Sequence, residues 1–217
     1  MSIRTTLIAA AFVAAPLQAQ GAPGGPPAEE ARAVISAVLA HQASMRGPES
    51  GAFTCVANAL SGLPAAPGAD DPMVPDHAVR IGFRWHVPDP PARVRPPPPP
   101  EDARRRSRPR PAPIDPPPVL PQELADSLNA LRAEAARAVA APVASIDTAL
   151  VPAPLQLQGS DGDCAPLTLS APAFAGDTAF LETAYACGSV CGNGNLYALQ
   201  RREGRWEVVG IADIWIR

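Results

Sequence analysis

No lysine occurs anywhere in the 217 residues, so all eighteen basic side chains are Arg. Schiff-base catalysis and the phosphate-binding Lys of a P-loop are therefore excluded. Aromatic residues make up 5% of the chain and charged residues 18%. Apolar runs are short: Leu7 through Ala15 is about half of the ~20 residues that a helical membrane span requires. No other run is long enough, and the repeated alternating segments of an outer-membrane barrel do not occur. No Gly-x-Ser-x-Gly elbow and no compact zinc spacing is present, and no motif calls for a cofactor.

The short apolar run instead reads as part of an export signal. Arg4 supplies the single positive charge before it, Pro16 ends it, and Leu17-Gln18-Ala19 offers a small residue at the cut. Charge, short apolar core and small residue, in that order, are the grammar of a secretory signal peptide. The expected mature chain is periplasmic or secreted after cleavage near Ala19. No Cys stands at the cut to carry a lipid.

Four cysteines remain after such export: Cys55, Cys164, Cys187 and Cys191. An even number in an oxidising compartment favours disulfides, and four allow three pairings. The Cys187-x-x-x-Cys191 spacing is that of neither a thioredoxin-like redox pair nor a common zinc knuckle. Extended, those five residues would hold their end Cα atoms about 13 Å apart, whereas a disulfide needs roughly 7 Å or less. Gly188-Ser189-Val190 followed by Gly192 suits the turn that closure demands. The expected pairs are Cys187 with Cys191 across a hairpin tip, and Cys55 with Cys164 between distant segments.

Pro (29) and Gly (16) are abundant but unevenly spread. After residues 20–27, a flexible lead-in, the stretch 28–87 reads as a helix and strands. Ala31, Val34, Ile35, Val38 and Leu39 recur at three- and four-residue steps, forming one apolar helical stripe. Gly47-Pro48 stops it. A strand is expected at Ala52–Ala57. From Val79 to Val87, apolar Val79, Ile81, Phe83, Trp85 and Val87 alternate with Arg80, Gly82, Arg84 and His86, the period of a half-buried strand.

Residues 88–121 differ in kind, with fifteen Pro and seven Arg against four acids, a net charge of +3. Such a composition cannot pack a core and reads as a disordered or polyproline linker or insertion. The rest of the mature chain carries ten Arg against seventeen acids, or −7. A basic arm is thus set on an acidic body. Arg104, Arg105, Arg106, Arg108 and Arg110 could touch an anionic envelope surface weakly. Nucleic acid is not an expected partner, because export and the absence of aromatics in the arm both argue against it. Oligomeric state is not readable.

Residues 122–217 read as a helix plus an antiparallel meander. The helix spans Gln122–Ala141, with Leu124, Leu128, Leu131, Ala135 and Val139 on its apolar stripe, Arg132 and Arg137 opposite, and Pro142 ending it. Strands are expected at Pro166–Ser170, Ala179–Ala186, Gly194–Arg201 and Arg205–Ile216. Arg202-Glu203-Gly204 makes a tight turn between the last two, with Gly at positive φ. Trp206, Val208, Ala212, Ile214 and Ile216 share parity and should face one core.

The run Ala186-Cys187-Gly188-Ser189-Val190-Cys191-Gly192-Asn193-Gly194 precedes a strand. Gly204-Arg205-Trp206 and closing Trp215-Ile216 come after it, with Ser170 and Phe174 upstream. This pattern resembles the C-terminal module of a family of small exported bacterial proteins that ends in Cys-Gly-x-x-Cys-Gly-x-Gly, a strand, a Gly-x-Trp turn and a closing Trp. The resemblance covers about the last 50 residues and brings no assigned activity. It implies an α+β fold: N-terminal and central helices on a curved antiparallel sheet, cystatin-like, interrupted by the disordered Pro/Arg-rich segment.

Candidate chemistry is sparse. His41 near the end of the first helix suits the dipole there. His77 and His86 with Asp70, Asp71 and Asp76 offer zinc-compatible ligand types without a zinc spacing. Ser189 between two Cys is poorly placed as a nucleophile. Asp177, Glu182 and Asp213 would serve glycoside chemistry only if two of them converge. Ser160-Asp161-Gly162-Asp163 is an acidic turn without a full Ca²⁺ loop. The reading is a non-catalytic binding or accessory domain of the envelope. Its rival is an exported hydrolase or thiol-dependent enzyme built on the turn from Cys187 to Gly194, whose backbone N–H groups could hold an oxyanion.

Overall fold

A computed structural model describes residues 27–45, 55–63, 74–75, 78–80, 83–88, 117–138, 143, 145–159, 164–186 and 191–217. The signal segment, the Pro/Arg stretch from 89 to 116 and the tip at 187–190 lie outside the described residues. Among those described, no helix is long and apolar enough to cross a membrane.

Helix α1 runs Ala28–Ser44 and α2 runs Gln122–Ala135. Each starts directly after a proline, Pro27 or Pro121, held in extended backbone. Proline has no N–H to leave unsatisfied at a helix start. The Pro27 carbonyl accepts from Glu30 N (3.0 Å), and that of Pro121 from Leu124 N (3.1 Å). Glu29, Glu30 and Glu123 occupy the first turns, where a carboxylate offsets the positive end of the helix dipole.

Among the described residues nine strands form one mixed sheet: β1 Cys55–Ser61, β2 Val79–Arg80, β3 Trp85–His86, β4 Gln156–Leu157, β5 Leu167–Ser170, β6 Ala173–Ala175, β7 Thr178–Ala186, β8 Gly192–Arg202 and β9 Arg205–Ile216. The main path is β2-β9-β8-β7-β5-β1-β4, with β3 also on β9 and β6 also on β7. The α+β class holds. The sheet is antiparallel through the meander but parallel where β1 pairs with β5 and β4. A 3₁₀ turn, Thr148–Leu150, capped by the Asp147 carboxylate, lies between α2 and β4.

Both faces of the sheet are covered. All five expected stripe residues of α1 are fully buried. Val34, Ile35, Val38 and Leu39 pack with Leu167, Leu169, Ala179, Leu181, Tyr197 and Leu199. The alternate residues Phe180, Ala184, Leu196 and Ala198 turn the other way, into a second core with Trp85, Leu120 and with Leu128 and Ala135 of α2. The resemblance implied helices packed on a curved antiparallel sheet; here the two cores lie back to back across a mixed sheet. Polar ties fix each end of α1. Trp206 Nε1 donates to Glu30 Oε2 (2.7 Å) beside an Arg201–Glu30 ion pair of 2.9 Å, and Gln42 Nε2 donates to the Tyr197 hydroxyl (2.5 Å). On the opposite face Trp85 Nε1 donates to Asn129 Oδ1 (2.9 Å).

Several expectations are corrected. The first strand is Cys55–Ser61, not Ala52–Ala57. The expected strand from Val79 to Val87 is two short pieces, β2 and β3; Trp85 is buried, but Val79 is 62% exposed. These pieces only edge β9, so alternation there has little core to face. Helix α2 ends at Ala135, and Arg132 is buried rather than outward, its guanidinium over the Phe83 ring. In β9 the shared parity breaks, because register shifts fall between Ala198 and Leu199 and between Gly194 and Asn195 on the partner strand. One extra residue at each bulge reverses or re-aims the side chains beyond it. Trp206 therefore joins the α1 core, Ala212, Ile214 and Trp215 join the α2 core, and Ile216 is 48% exposed. The turn at Glu203-Gly204 is as expected in place, with both residues at positive φ (50° and 77°).

Segments on either side of the Pro/Arg stretch share this sheet. The stretch itself leaves and returns at one place: Val87 N donates to Pro118 O (2.8 Å), and Leu120 N donates to Trp85 O (3.0 Å). Residues 117–121, assigned to the disordered segment from sequence, are thus paired with β3 through a bridge between His86 and Val119.

Cys55 and Cys164 form a disulfide, their Cα atoms 6.4 Å apart across 109 residues of chain. It ties β1 to the loop before β5. Constraining so long a loop in the unfolded chain is worth about 3–5 kcal/mol. The expected outcome for Cys55→Ser with Cys164→Ser is a stability loss of about that size, read as a lower denaturant midpoint with unchanged far-UV spectrum in dilute denaturant. An unchanged midpoint would show that the crosslink contributes nothing.

Candidate functional site

A cleft of about 420 Å³ is lined by residues of β1, β5, β7 and β9 together with Pro75 and Pro166. Its lining residues include apolar Leu60, Leu169, Pro75, Pro166, Ala184 and Ala186, and Ser61, Thr168, Tyr185 and Trp215, which carry polar groups. Strand order explains the assembly. Thr168 lies opposite Ala184 in the β5–β7 pair, and alternation with Leu167 and Leu169 turns Thr168 away from the α1 core. The bulges in β9 bring Trp215 onto this same face.

Trp215 is wholly buried, and two glycines make room for it. A Cβ at Gly194 would fall inside the indole. A Cβ at Gly192, whose φ is +156°, would meet the Tyr185 carbonyl at 2.6 Å and Trp215 Cζ3 at 3.1 Å. The Gly-x-Gly of the C-terminal module is therefore a bed for the closing Trp. Thr168 Oγ1 donates to Ala184 O (3.0 Å), and Ser61 Oγ lies 3.4 Å from Leu169 O as donor. With the proton so engaged, the Thr168 oxygen keeps its lone pairs for accepting. The three indoles differ. Those of Trp85 and Trp206 have acceptors, whereas Trp215 Nε1 is buried with none among the described residues.

The carboxylates singled out from sequence do not converge. Glu182 is fully buried on the α2 face, next to Ala184, and its backbone N–H donates to Ser170 Oγ (2.9 Å). Asp213 lies opposite Asn195, and its carboxylate accepts from the Asn195 amide (2.8 Å). Alternation with Leu196 and Ala212 sets this pair toward the α1 side. Asp177 is in the turn between β6 and β7, 84% exposed and 3.8 Å from Arg201. The paired-carboxylate reading fails on that geometry. His41 stands edge-on to Tyr197, ring centroids 5.9 Å apart. His86 is in β3, while His77, Asp70, Asp71, Asp76, Ser160, Asp161, Asp163 and Ser189 lie outside the described residues. No group of three or more metal-ligating side chains forms among the described residues.

Cys191 is disulfide-bonded and Cys187 lies outside the described residues; among those described, no cysteine is free. Ser170 and Phe174, which belong to the resemblance, are structural here. Ser170 receives a ladder N–H where β5 leaves β7, and Phe174 packs edge-on against Trp206 at 5.7 Å. The cleft itself was missed from sequence, since its lining runs from Ala59 to Trp215. The available signal was Gly192-x-Gly194 followed by a Trp of matching register.

Compared with protein-family models, with curated proteins and with solved structures, the chain finds no match in any of the three.

Gly194→Ala forces the indole out of its bed, and overpacking of this kind costs about 1–3 kcal/mol. The expected outcome is a thermal midpoint lowered by several degrees together with red-shifted Trp emission. Gly62→Ala, where a Cβ meets open space, is the control and should leave both unchanged.

Proposed function

We propose that the chain is an exported, non-catalytic binding or accessory domain of the bacterial envelope, with the cleft beside Trp215 as its binding site. The observation that carries this reading is the chemistry of the cleft. Among the described residues its lining holds no carboxylate, imidazole, guanidinium or thiol. A pocket that is mostly apolar with a few placed polar groups suits recognition. Hydrolytic or thiol chemistry would need a nucleophile within reach of a base. The signal-like residues 1–19, the four cysteines and the resemblance of the C-terminal module to small exported proteins all support export. A cystatin-like sheet curvature belongs to the same proposal. So does weak contact of Arg104, Arg105, Arg106, Arg108 and Arg110 with anionic envelope polymers, supported by the opposite net charges of arm and body.

Protein recovered from the periplasm or medium should begin at Gln20 and show no titratable thiol before reduction. It should turn over none of a panel of ester, peptide and glycoside substrates. A thiol of depressed pKa, or turnover lost on changing one polar residue, refutes the non-catalytic reading. For the arm, deleting residues 96–113 should abolish salt-sensitive retention by isolated envelopes; unchanged retention removes that part alone.

A further inference from the structure

The indole of Trp215 is the one described Trp side chain without an acceptor. Leaving a buried N–H unmet costs the full desolvation of that group. Its pyrrole edge overlies Gly194. Gly194 faces Ala184 across the β7–β8 pair, and Ala184 floors the cleft. The unmet donor therefore belongs to a residue that lines the cavity, and it lies buried beneath the cavity's surface. Nearby, the Thr168 hydroxyl has given its proton to Ala184 O and can only accept from a visitor. Among the described residues the remaining lining is aliphatic or Pro apart from Ser61 and Tyr185, with no ionised side chain to balance a ligand charge. Carrying a charge into such a site is costly without a partner.

We infer that the cleft takes a small, uncharged, largely apolar molecule that presents a hydrogen-bond acceptor, such as a carbonyl oxygen, to the indole N–H of Trp215. The inference rests on the cleft being the binding site, and goes further by fixing the ligand class. An apolar body fills the space beside Leu60, Pro166 and Ala186, and the acceptor reaches inward over Ala184. A site built to donate a hydrogen bond discriminates against the isostere that offers no acceptor.

The test uses the oxidised mature chain with ¹⁵N-labelled indoles and three matched probes: 2-acetylnaphthalene, 2-ethylnaphthalene and 2-naphthoate. The acetyl probe should shift the Trp215 indole N–H resonance downfield and saturably, while those of Trp85 and Trp206, already bonded, stay in place. The ethyl probe should bind about 5-fold or more weakly, the worth of one net hydrogen bond, and the naphthoate more weakly still. Trp215→Phe should bring the acetyl probe down to the affinity of the ethyl probe, provided the variant keeps the wild-type amide spectrum. Equal binding of acetyl and ethyl probes by the wild-type chain overturns the acceptor inference while leaving the cleft as a site. Tightest binding of the naphthoate overturns the uncharged class. No saturable shift with any probe overturns the cleft as a binding site altogether.

Discussion

Strand β7 is buried at seven consecutive residues, Thr178 through Ala184, because a helix or its neighbours cover each face of the sheet around it. That two-sided burial governs the rest of the molecule. A strand covered on both faces cannot alternate apolar with charged side chains, and β7 accordingly mixes Ala, Phe, Leu and Thr with one carboxylate, Glu182. Ala179 and Leu181 then address α1, while Phe180 and Ala184 address α2. The two helices never need to meet: the meander carries the packing between them. The Cys55–Cys164 link holds β1, the strand most remote in sequence from the meander, in place beside β5.

Two irregularities in β9 convert this regular frame into one with a cavity. A flat twelve-residue strand would send alternate side chains to fixed faces. Instead the first bulge hands the α1 core Trp206 and the α2 core Ala212, and the second puts Ile214 and Trp215 on one face. Bulges commonly re-aim side chains near binding sites. Here a re-aimed residue is Trp215, and its accommodation needs two positions without a Cβ, Gly192 and Gly194.

Much of the frame was legible in the residues. The stripe from Ala31 to Leu39, the last four long strands and the tight turn at Glu203-Gly204 all declare themselves through period and turn chemistry. What failed did so for identifiable reasons. The burial of Arg132 depends on Phe83 lying opposite it, a contact between segments that no local pattern reveals. The bulges invert parity at single residues, so Trp206 and Ala212 look equivalent in sequence and face opposite cores. Strands as short as Gln156–Leu157 and Ala173–Ala175 carry too few residues to show a period. The cleft was least legible of all, because its walls come from five separate stretches joined only by strand order.

The joined feet of the Pro/Arg stretch, Val87 and Pro118, bear on how this chain can vary. The entropy of closing a loop grows only with the logarithm of its length, about 0.6 kcal/mol for each doubling. Once the two ends are hydrogen-bonded neighbours, the sheet registers little of how many residues run between them. The outer edge of β3 is therefore a port where sequence can be lengthened, shortened or exchanged in evolution at almost no thermodynamic expense to the two cores behind it.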